Sequence, residues 1–212
     1  ILPDVEEAYQ ISGIEKNNLN AIAYTQSPGL IGSLLVGSCF AKSYAQALNI
    51  PTIAVNHMQA HVLSNLIENP KPAFPFLCLT VSGGHTQIVL CKSPLMQEII
   101  GTTIDDAAGE AFDKSAKMLG LPYPGGPLID KNAQLGNPLT YKFAEPQIQG
   151  LNYSFSGVKT SILYFLQAQK KLNEQFISEN MHHLCASIQH TIIKILMKKL
   201  LAASKETGIK EI

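Results

Sequence analysis

Short apolar runs alternate with longer amphipathic segments in the first third of the chain. The apolar runs predict strands, and the amphipathic segments, with apolar positions at helical spacing, predict helices. The predicted segments are a helix at 4–12, a strand at 21–26, a helix at 29–48, a strand at 52–55 and a helix at 57–68. This strand–helix–strand–helix order predicts two parallel strands joined by a right-handed crossover.

The pattern changes after residue 75, where three strand-like runs follow one another before the next helix. Ser82-Gly83-Gly84 separates the first two runs and predicts an antiparallel hairpin. Asp105 or Asp106 is expected to cap the helix that comes next, and the density of Pro and Gly in Leu121–Pro127 predicts a loop. The segments are strands at 76–81, 86–91 and 97–103, helices at 105–119, 158–171 and 178–206, and an irregular stretch at 137–153.

The order of elements indicates complementary parts of two duplicate lobes. Residues 1–70 supply β-α-β-α, residues 71–75 are a proline-containing linker, and residues 76–212 supply β-β-β-α followed by helices. We interpret them as the second half of a first lobe and the first part of a second lobe. The predicted fold class is α/β, an actin-like or sugar-kinase-like two-lobe ATPase fold built from duplicated ribonuclease H-like lobes. The start at Ile1 and the strand-like Gly208–Ile212 predict an incomplete copy of that fold, cut from a longer protein.

Composition narrows the classes of function. The 212 residues include 46% hydrophobic and 15% charged residues with a formal net charge of zero, so a substantial core is expected without a global basic surface for nucleic acid. A local patch or a partner subunit could still bind RNA. No apolar run is long enough to cross a bilayer. The four cysteines form no C-x-x-C pair, which favours a reducing, cytoplasmic location.

Two histidines with helical spacing follow the second predicted strand. His57 and His61 lie at i and i+4, where Cβ atoms on one helical face are about 6 Å apart and two imidazoles can share a metal ion. Met58 and Gln59 replace the glutamate of the H-E-x-x-H motif, so the base of a zinc protease is absent. Because the chain has six histidines, an accidental pair is the alternative.

The turn Ser82-Gly83-Gly84 is the second candidate site. Glycine backbone without a Cβ can approach a phosphate closely, and successive N–H groups in a turn can bind an anion. A plain hairpin with a glycine turn is the alternative interpretation. A metal pair and such a turn within thirty residues of one another point to chemistry on a nucleotide.

Five motifs in order then carry a resemblance to a known family. They are Val55–His61, Leu79–Thr86, Ile104–Lys114, Tyr123–Pro127 and Tyr153–Thr160. Together they strongly resemble the TsaD family of tRNA adenosine threonylcarbamoyltransferases, formerly labelled O-sialoglycoprotein endopeptidases or glycoproteases. The resemblance covers essentially the whole chain.

The resemblance implies an acyltransferase that modifies tRNA. The threonylcarbamoyl group of threonylcarbamoyl-adenylate would pass to N6 of the adenosine on the 3′ side of the anticodon. The implied cofactors are one divalent metal, iron or zinc, and an adenine nucleotide. The implied partners are tRNA and the other subunits of the transfer complex, including a paralogous actin-like subunit, with no membrane.

The resemblance also assigns residues, although it singles out no catalytic residue. His57 and His61 would be metal ligands. The expected nucleotide contacts are Thr80, Val81, Ser82, Gly83 and Gly84 at the phosphate, and Asp113, Gly126 and Asp130 at the ribose and adenine.

Several parts of the family pattern are missing from this sequence. They are the amino-terminal signature, the carboxy-terminal adenosine contact and the aspartate that is the third metal ligand. We therefore expect weak metal binding and no activity from these residues alone. A metal-dependent endopeptidase and a non-catalytic nucleotide-binding scaffold are the alternative functions. Ser156 and Lys159 match the S-x-x-K motif of penicillin-binding enzymes, but we interpret them as a loop-to-helix junction.

Overall fold

The structure, a computed structural model, describes all 212 residues as a mixed α/β protein. It divides into two compact units, Ile1–Lys71 and Pro72–Ile212. None of its helices combines the length and the hydropathy needed to span a membrane.

The first unit is a pair of parallel strands with three helices. Residues 22–25 of the first strand pair with residues 52–55 of the second, as predicted from the alternation of elements. Three residues of this unit are buried, namely Ala41, Ala45 and Val62. Its elements are α1 (Leu2–Ser12), β1 (Ile22–Ser27), α2 (Ile31–Leu48), β2 (Thr52–Asn56) and α3 (His57–Leu63), with 3-10 turns at Lys16–Asn18 and Ser64–Leu66.

The helix expected over 57–68 is shorter than predicted. It ends at Leu63 and continues as a 3-10 turn. Ser64 Oγ donates to the His61 carbonyl at 2.7 Å, and Asn65 Nδ2 donates to the Val62 carbonyl at 3.0 Å. These side chains satisfy carbonyls that a continuing α-helix would have bonded, so the α-helix ends there.

The second unit packs helices on a three-stranded antiparallel sheet of order β3-β4-β5. The sequence predicted all three strands and the hairpin. Leu77 and Ile88 lie in one core cluster with Ile129, Tyr153 and Ile188, which come from the helices and the loop before α6. The elements are β3 (Phe76–Val81), β4 (Thr86–Ser93), β5 (Met96–Thr102), α4 (Ala108–Met118), α5 (Gly125–Ala133), α6 (Ser156–Leu172), α7 (Phe176–Glu179) and α8 (Met181–Thr207).

The prediction of a loop over Leu121–Pro127 is wrong from Gly125 onward. Helix α5 begins at Gly125, directly after Pro124. Pro127 is the third residue of the helix, where its missing N–H would have had no intrahelical partner anyway. A proline in a first turn therefore does not exclude a helix.

The predicted cap of the next helix is also wrong. Helix α4 begins at Ala108 rather than Asp105, and neither Asp105 nor Asp106 caps it. Instead, Thr86 of β4, which is fully buried, accepts a hydrogen bond from the Ala108 N–H at its Oγ1, at 2.9 Å. A partner 22 residues away in sequence has taken the role that a local aspartate usually has.

Candidate functional site

The histidine pair is fixed by the start of α3. Asn56 is the N-cap of that helix, and its Oδ1 accepts hydrogen bonds from the Met58 and Gln59 N–H groups at 2.9 and 3.1 Å. His57 and His61 then lie one turn apart on an exposed face, with their Nε2 atoms 3.1 Å apart and their ring planes 70° apart. The converging imidazoles follow directly from the i, i+4 spacing.

The geometry of the pair fits two positions of a metal site. Two imidazole ligands at about 2.0–2.1 Å from a tetrahedral ion have their nitrogens about 3.3 Å apart, close to the distance between the two Nε2 atoms. No group of three or more His, Cys, Asp or Glu side chains in the 212 residues is placed to hold an ion. The pair could hold iron or zinc as two of the three ligands that an open site requires.

The turn between β3 and β4 is stabilised by its own hydrogen bonds. The Ser82 N–H donates to the His85 carbonyl at 2.8 Å, and the His85 N–H donates to Ser82 Oγ at 3.0 Å. These contacts use Ser82 and His85, whereas Gly83 and Gly84 lie between them with no atom within 4 Å of a Cβ built on either. The side of each glycine on which a Cβ would lie is therefore open to a ligand.

Helix α4 packs tightly against this turn. The Gly109 N–H donates to the Ser82 carbonyl at 3.2 Å. A Cβ on Gly109 would lie 2.6 Å from that carbonyl oxygen, so only glycine permits the approach. Thr80 lies on β3 just before the turn, and its Oγ1 is buried without a hydrogen-bond partner. Val81, the last residue of β3, is exposed.

The next turn of α4 contacts the start of α5. Asp113 Oδ1 accepts a hydrogen bond from the Gly125 N–H at 2.8 Å. A Cβ on Gly125 would lie 2.4 Å from the Cβ of Ala116 and 3.0 Å from the Cα of Asp113, so the two helices meet at a bare backbone. By contrast, a Cβ on Gly126 would find its nearest neighbour, Phe112, at 4.0 Å. Gly126 thus faces open space, next in sequence to the glycine that is bonded to Asp113.

Asp130 lies one turn beyond Gly126 on α5 and is exposed. The residues predicted to contact the nucleotide therefore lie on consecutive elements of the second unit. Ser82 of the turn contacts the start of α4, and Asp113 of α4 contacts the start of α5, which carries Gly126 and Asp130. The histidine pair lies in the first unit.

A cluster that the sequence did not predict joins the β5–α4 loop to the start of α6. Asp105 accepts hydrogen bonds from Ser154 Oγ at 2.5 Å, from the Phe155 N–H at 2.8 Å and from Ser156 Oγ at 2.7 Å. Partial burial acts to raise the pKa of the Asp105 carboxyl, but these hydrogen bonds together lower it below its usual value. Ser156 is thus held at the first turn of α6, as expected of a loop-to-helix junction.

Asp106 forms ion pairs with two lysines. Its two carboxylate oxygens accept hydrogen bonds from Lys114 Nζ at 2.8 Å and from Lys159 Nζ at 3.1 Å, and Lys114 also pairs with Glu110 at 2.8 Å. Partial burial acts to raise the pKa of Asp106, but the two ammonium groups lower it. The only sequence signal for this network was the density of charged residues in Ile104–Lys114, which does not reveal Lys159 as a partner.

Comparisons with known proteins show which family the chain belongs to. The family described as TsaD, tRNA N6-adenosine threonylcarbamoyltransferase, matches residues 1–212. Proteins of that same name from Christiangramia forsetii and Riemerella anatipestifer are each 57% identical over 215 residues, covering 100% of this chain and 63% of their own length. The protein of that name from Chromobacterium violaceum is 45% identical over 213 residues, covering 100% of this chain and 62% of its own length.

The chain is thus a mixed α/β protein related throughout to a class of tRNA-modifying transferases. It belongs to the TsaD family. It spans slightly less than two thirds of the length of the curated relatives named above. The family predicted from the five sequence motifs is confirmed.

Proposed function

We propose that the protein acts in transferring a threonylcarbamoyl group from threonylcarbamoyl-adenylate to N6 of the adenosine 3′ of the anticodon in tRNA. The family match over all 212 residues is the observation that carries this proposal. The tRNA, the other subunits of the transfer complex and a paralogous actin-like subunit are the proposed partners. Because the proposed substrate is a tRNA, the cytoplasm is the proposed location of the protein.

The proposed fold is the two-lobe actin-like architecture. The parallel β1–β2 pair with its helices corresponds to the second half of a first lobe, residues 1–70. The antiparallel β3-β4-β5 sheet followed by α4 corresponds to the first part of a second lobe, residues 76–212, with 71–75 as the linker. This assignment is supported by the order and pairing of the strands within each unit.

In the proposed nucleotide site, the turn after β3 binds phosphate and α5 binds the sugar. Gly83 and Gly84 present open backbone, and Thr80, Val81 and Ser82 lead into them. A phosphate beside these residues would accept hydrogen bonds from backbone N–H groups.

The sugar side of the proposed site is formed by Asp113, Gly126 and Asp130. Ionised carboxylates accept hydrogen bonds from ribose hydroxyls. The open space beside Gly126 would admit the sugar or the base. Attack by the N6 amine of the adenosine on the carbonyl carbon would form the new C–N bond and break the C–O bond to the adenylate phosphate, so that AMP leaves and the amine gives up a proton.

His57 and His61 are the proposed protein ligands for one divalent ion, iron or zinc. Such an ion, when bound, would polarise the carbonyl group that is transferred. The contribution of the two side chains is to present two convergent nitrogens from one exposed helical face.

A binding experiment tests the nucleotide site. A valine at position 84 would place a branched side chain where the phosphate is expected, so Gly84→Val should weaken AMP binding at least tenfold, or about 1.4 kcal/mol. Isothermal calorimetry measures the affinity, and Gly32→Val, at a glycine of α2 that also has open space, is the matched control. Equal AMP affinity of wild type and Gly84→Val would show that the turn is only a hairpin.

A further inference from the structure

A groove between α5 and α8 begins at Asp130. Its volume is about 260 Å³, below the range of about 300–1,000 Å³ for sites that enclose a whole drug-sized ligand. A space of this size suits one part of a ligand, and Asp130 is the residue that the groove shares with the proposed sugar side of the nucleotide site. Its polar lining consists of Asp130, Gln134, Gln189 and His190.

The two oxygens of the Asp130 carboxylate are held very differently. Gln189 Nε2, from α8, donates to Oδ1 at 2.8 Å. Gln134 Nε2, from the end of α5, reaches Oδ2 only at 3.4 Å, the long limit of a hydrogen bond. One oxygen is therefore anchored across the two helices, and the other is nearly free to accept a hydrogen bond from a ligand.

The anchoring contact leaves the other polar atom of the Gln189 amide unpaired. An ionised carboxylate only accepts hydrogen bonds, so the amide nitrogen of Gln189 must face it and the amide oxygen must point away. That oxygen, Oε1, is buried without a hydrogen-bond partner. A buried acceptor left unpaired costs free energy, and an apolar side chain of the same shape would avoid that cost. Orientation of the Asp130 carboxylate is a role that packing by an apolar side chain could not supply.

We propose that Gln189 is a positioning residue for nucleotide recognition, which orients the Asp130 carboxylate so that Oδ2 accepts a hydrogen bond from a ribose hydroxyl. This inference rests on the nucleotide site proposed above. Gln189 acts through Asp130, because its amide nitrogen is bonded to that carboxylate and its amide oxygen is buried.

Gln189→Met keeps the shape of the side chain and removes both polar atoms. We expect AMP affinity to fall at least tenfold, as for the loss of one hydrogen bond to a charged group. The free energy of unfolding should change little, since the loss of the hydrogen bond to the exposed Asp130 carboxylate is offset by the removal of the unpaired oxygen. A residue with a merely structural role would instead lose stability and affinity together.

Matched controls separate positioning from general disturbance. Gln134→Met, at the residue with the long contact to the same carboxylate, should change AMP affinity less than twofold. The affinity of 2′,3′-dideoxy-AMP, which lacks both hydroxyls, should be the same for Gln189→Met and wild type. In an Asp130→Asn background, Gln189→Met should have no further effect on AMP binding.

Isothermal calorimetry measures the nucleotide affinity of each variant, and urea unfolding measures its stability. Equal weakening of AMP and dideoxy-AMP by Gln189→Met, or a parallel loss of stability, would overturn the inference. If Asp130→Asn weakens AMP binding and Gln189→Met does not, the inference fails while the nucleotide site stands. If wild type does not bind AMP, the proposed site fails and the inference fails with it. If Asp130→Asn leaves AMP affinity unchanged, Asp130 is not a ribose contact and the inference fails, while the rest of the site is tested by Gly84→Val.

Discussion

Replacement of Gly125 by alanine tests the closest helix contact at the candidate nucleotide site. The new Cβ would lie 2.4 Å from the Cβ of Ala116, whereas carbon atoms in contact are normally about 3.5–4.0 Å apart. The overlap exceeds about 1 Å, and the Cα of Asp113 at 3.0 Å blocks movement to that side. Helices α4 and α5 would have to separate.

The magnitude follows from three contributions. Overpacking of this kind costs about 1–3 kcal/mol. Separation of the helices also weakens the hydrogen bond from the Gly125 N–H to the Asp113 carboxylate, and such bonds contribute about 1.5–3 kcal/mol. Alanine recovers about 0.5–1 kcal/mol of backbone entropy relative to glycine in a helix. We expect a net loss of about 2 kcal/mol or more, the sum of these terms near their lower ends.

Urea unfolding followed by far-ultraviolet circular dichroism measures this loss. With a slope of about 1–3 kcal/mol per molar urea, the midpoint of the transition should fall by about 1 M. Gly126→Ala is the matched control, because its Cβ would have no neighbour closer than 4.0 Å. That variant should be as stable as wild type or slightly more stable. If Gly125→Ala were as stable as Gly126→Ala, the close approach of α4 and α5 would be refuted.

Two further predictions concern the histidine pair and the Asp105 cluster. In the full-length protein, His57→Ala should lower the iron or zinc content as much as the joint replacement of His57 and His61, because one imidazole cannot hold the ion. Unchanged metal content by elemental analysis in both variants would exclude the site. The lowered pKa of Asp105 stabilises the folded state above the unfolded value of about 3.9, and this stabilisation is lost as pH falls through the lower folded value. The stability difference between wild type and Asp105→Asn should therefore be constant from about pH 7 to 5 and shrink below about pH 4; a difference independent of pH down to pH 2 would contradict it.

Strands and their pairing were largely predictable because they depend on local patterns. The apolar runs around Ser82-Gly83-Gly84 predicted the hairpin, and the alternation before residue 70 predicted the parallel pair. Helix starts were less predictable because distant residues decide them. Thr86, on a neighbouring strand, caps α4, and nothing near Ala108 in the sequence indicates this.

In the candidate site too, some features follow from local sequence patterns and others depend on residues far apart in sequence. The convergence of His57 and His61 follows from helical spacing alone, and the structure places their Nε2 atoms within 3.1 Å. The glycines of the turn are likewise a local signal. Gln189 lies 59 residues from Asp130 in sequence, on a helix whose apolar pattern indicates only packing, so no local signal could have associated the two side chains.

The last residues of the chain form hydrogen bonds along the outer edge of β3 in the second unit. The Leu77 N–H donates to the Glu211 carbonyl at 2.9 Å, and the Ala73 N–H donates to the Glu211 carboxylate at 3.3 Å across 138 residues of sequence. Closing a loop of that length costs about 4 kcal/mol in chain entropy, far more than closing the four-residue turn between β3 and β4. During folding the sheet should therefore grow outward from the hairpin, and the edge at Leu77 should be completed last. The same edge should open first in the native state, so the Leu77 amide should exchange with solvent before the amides that pair β3 with β4.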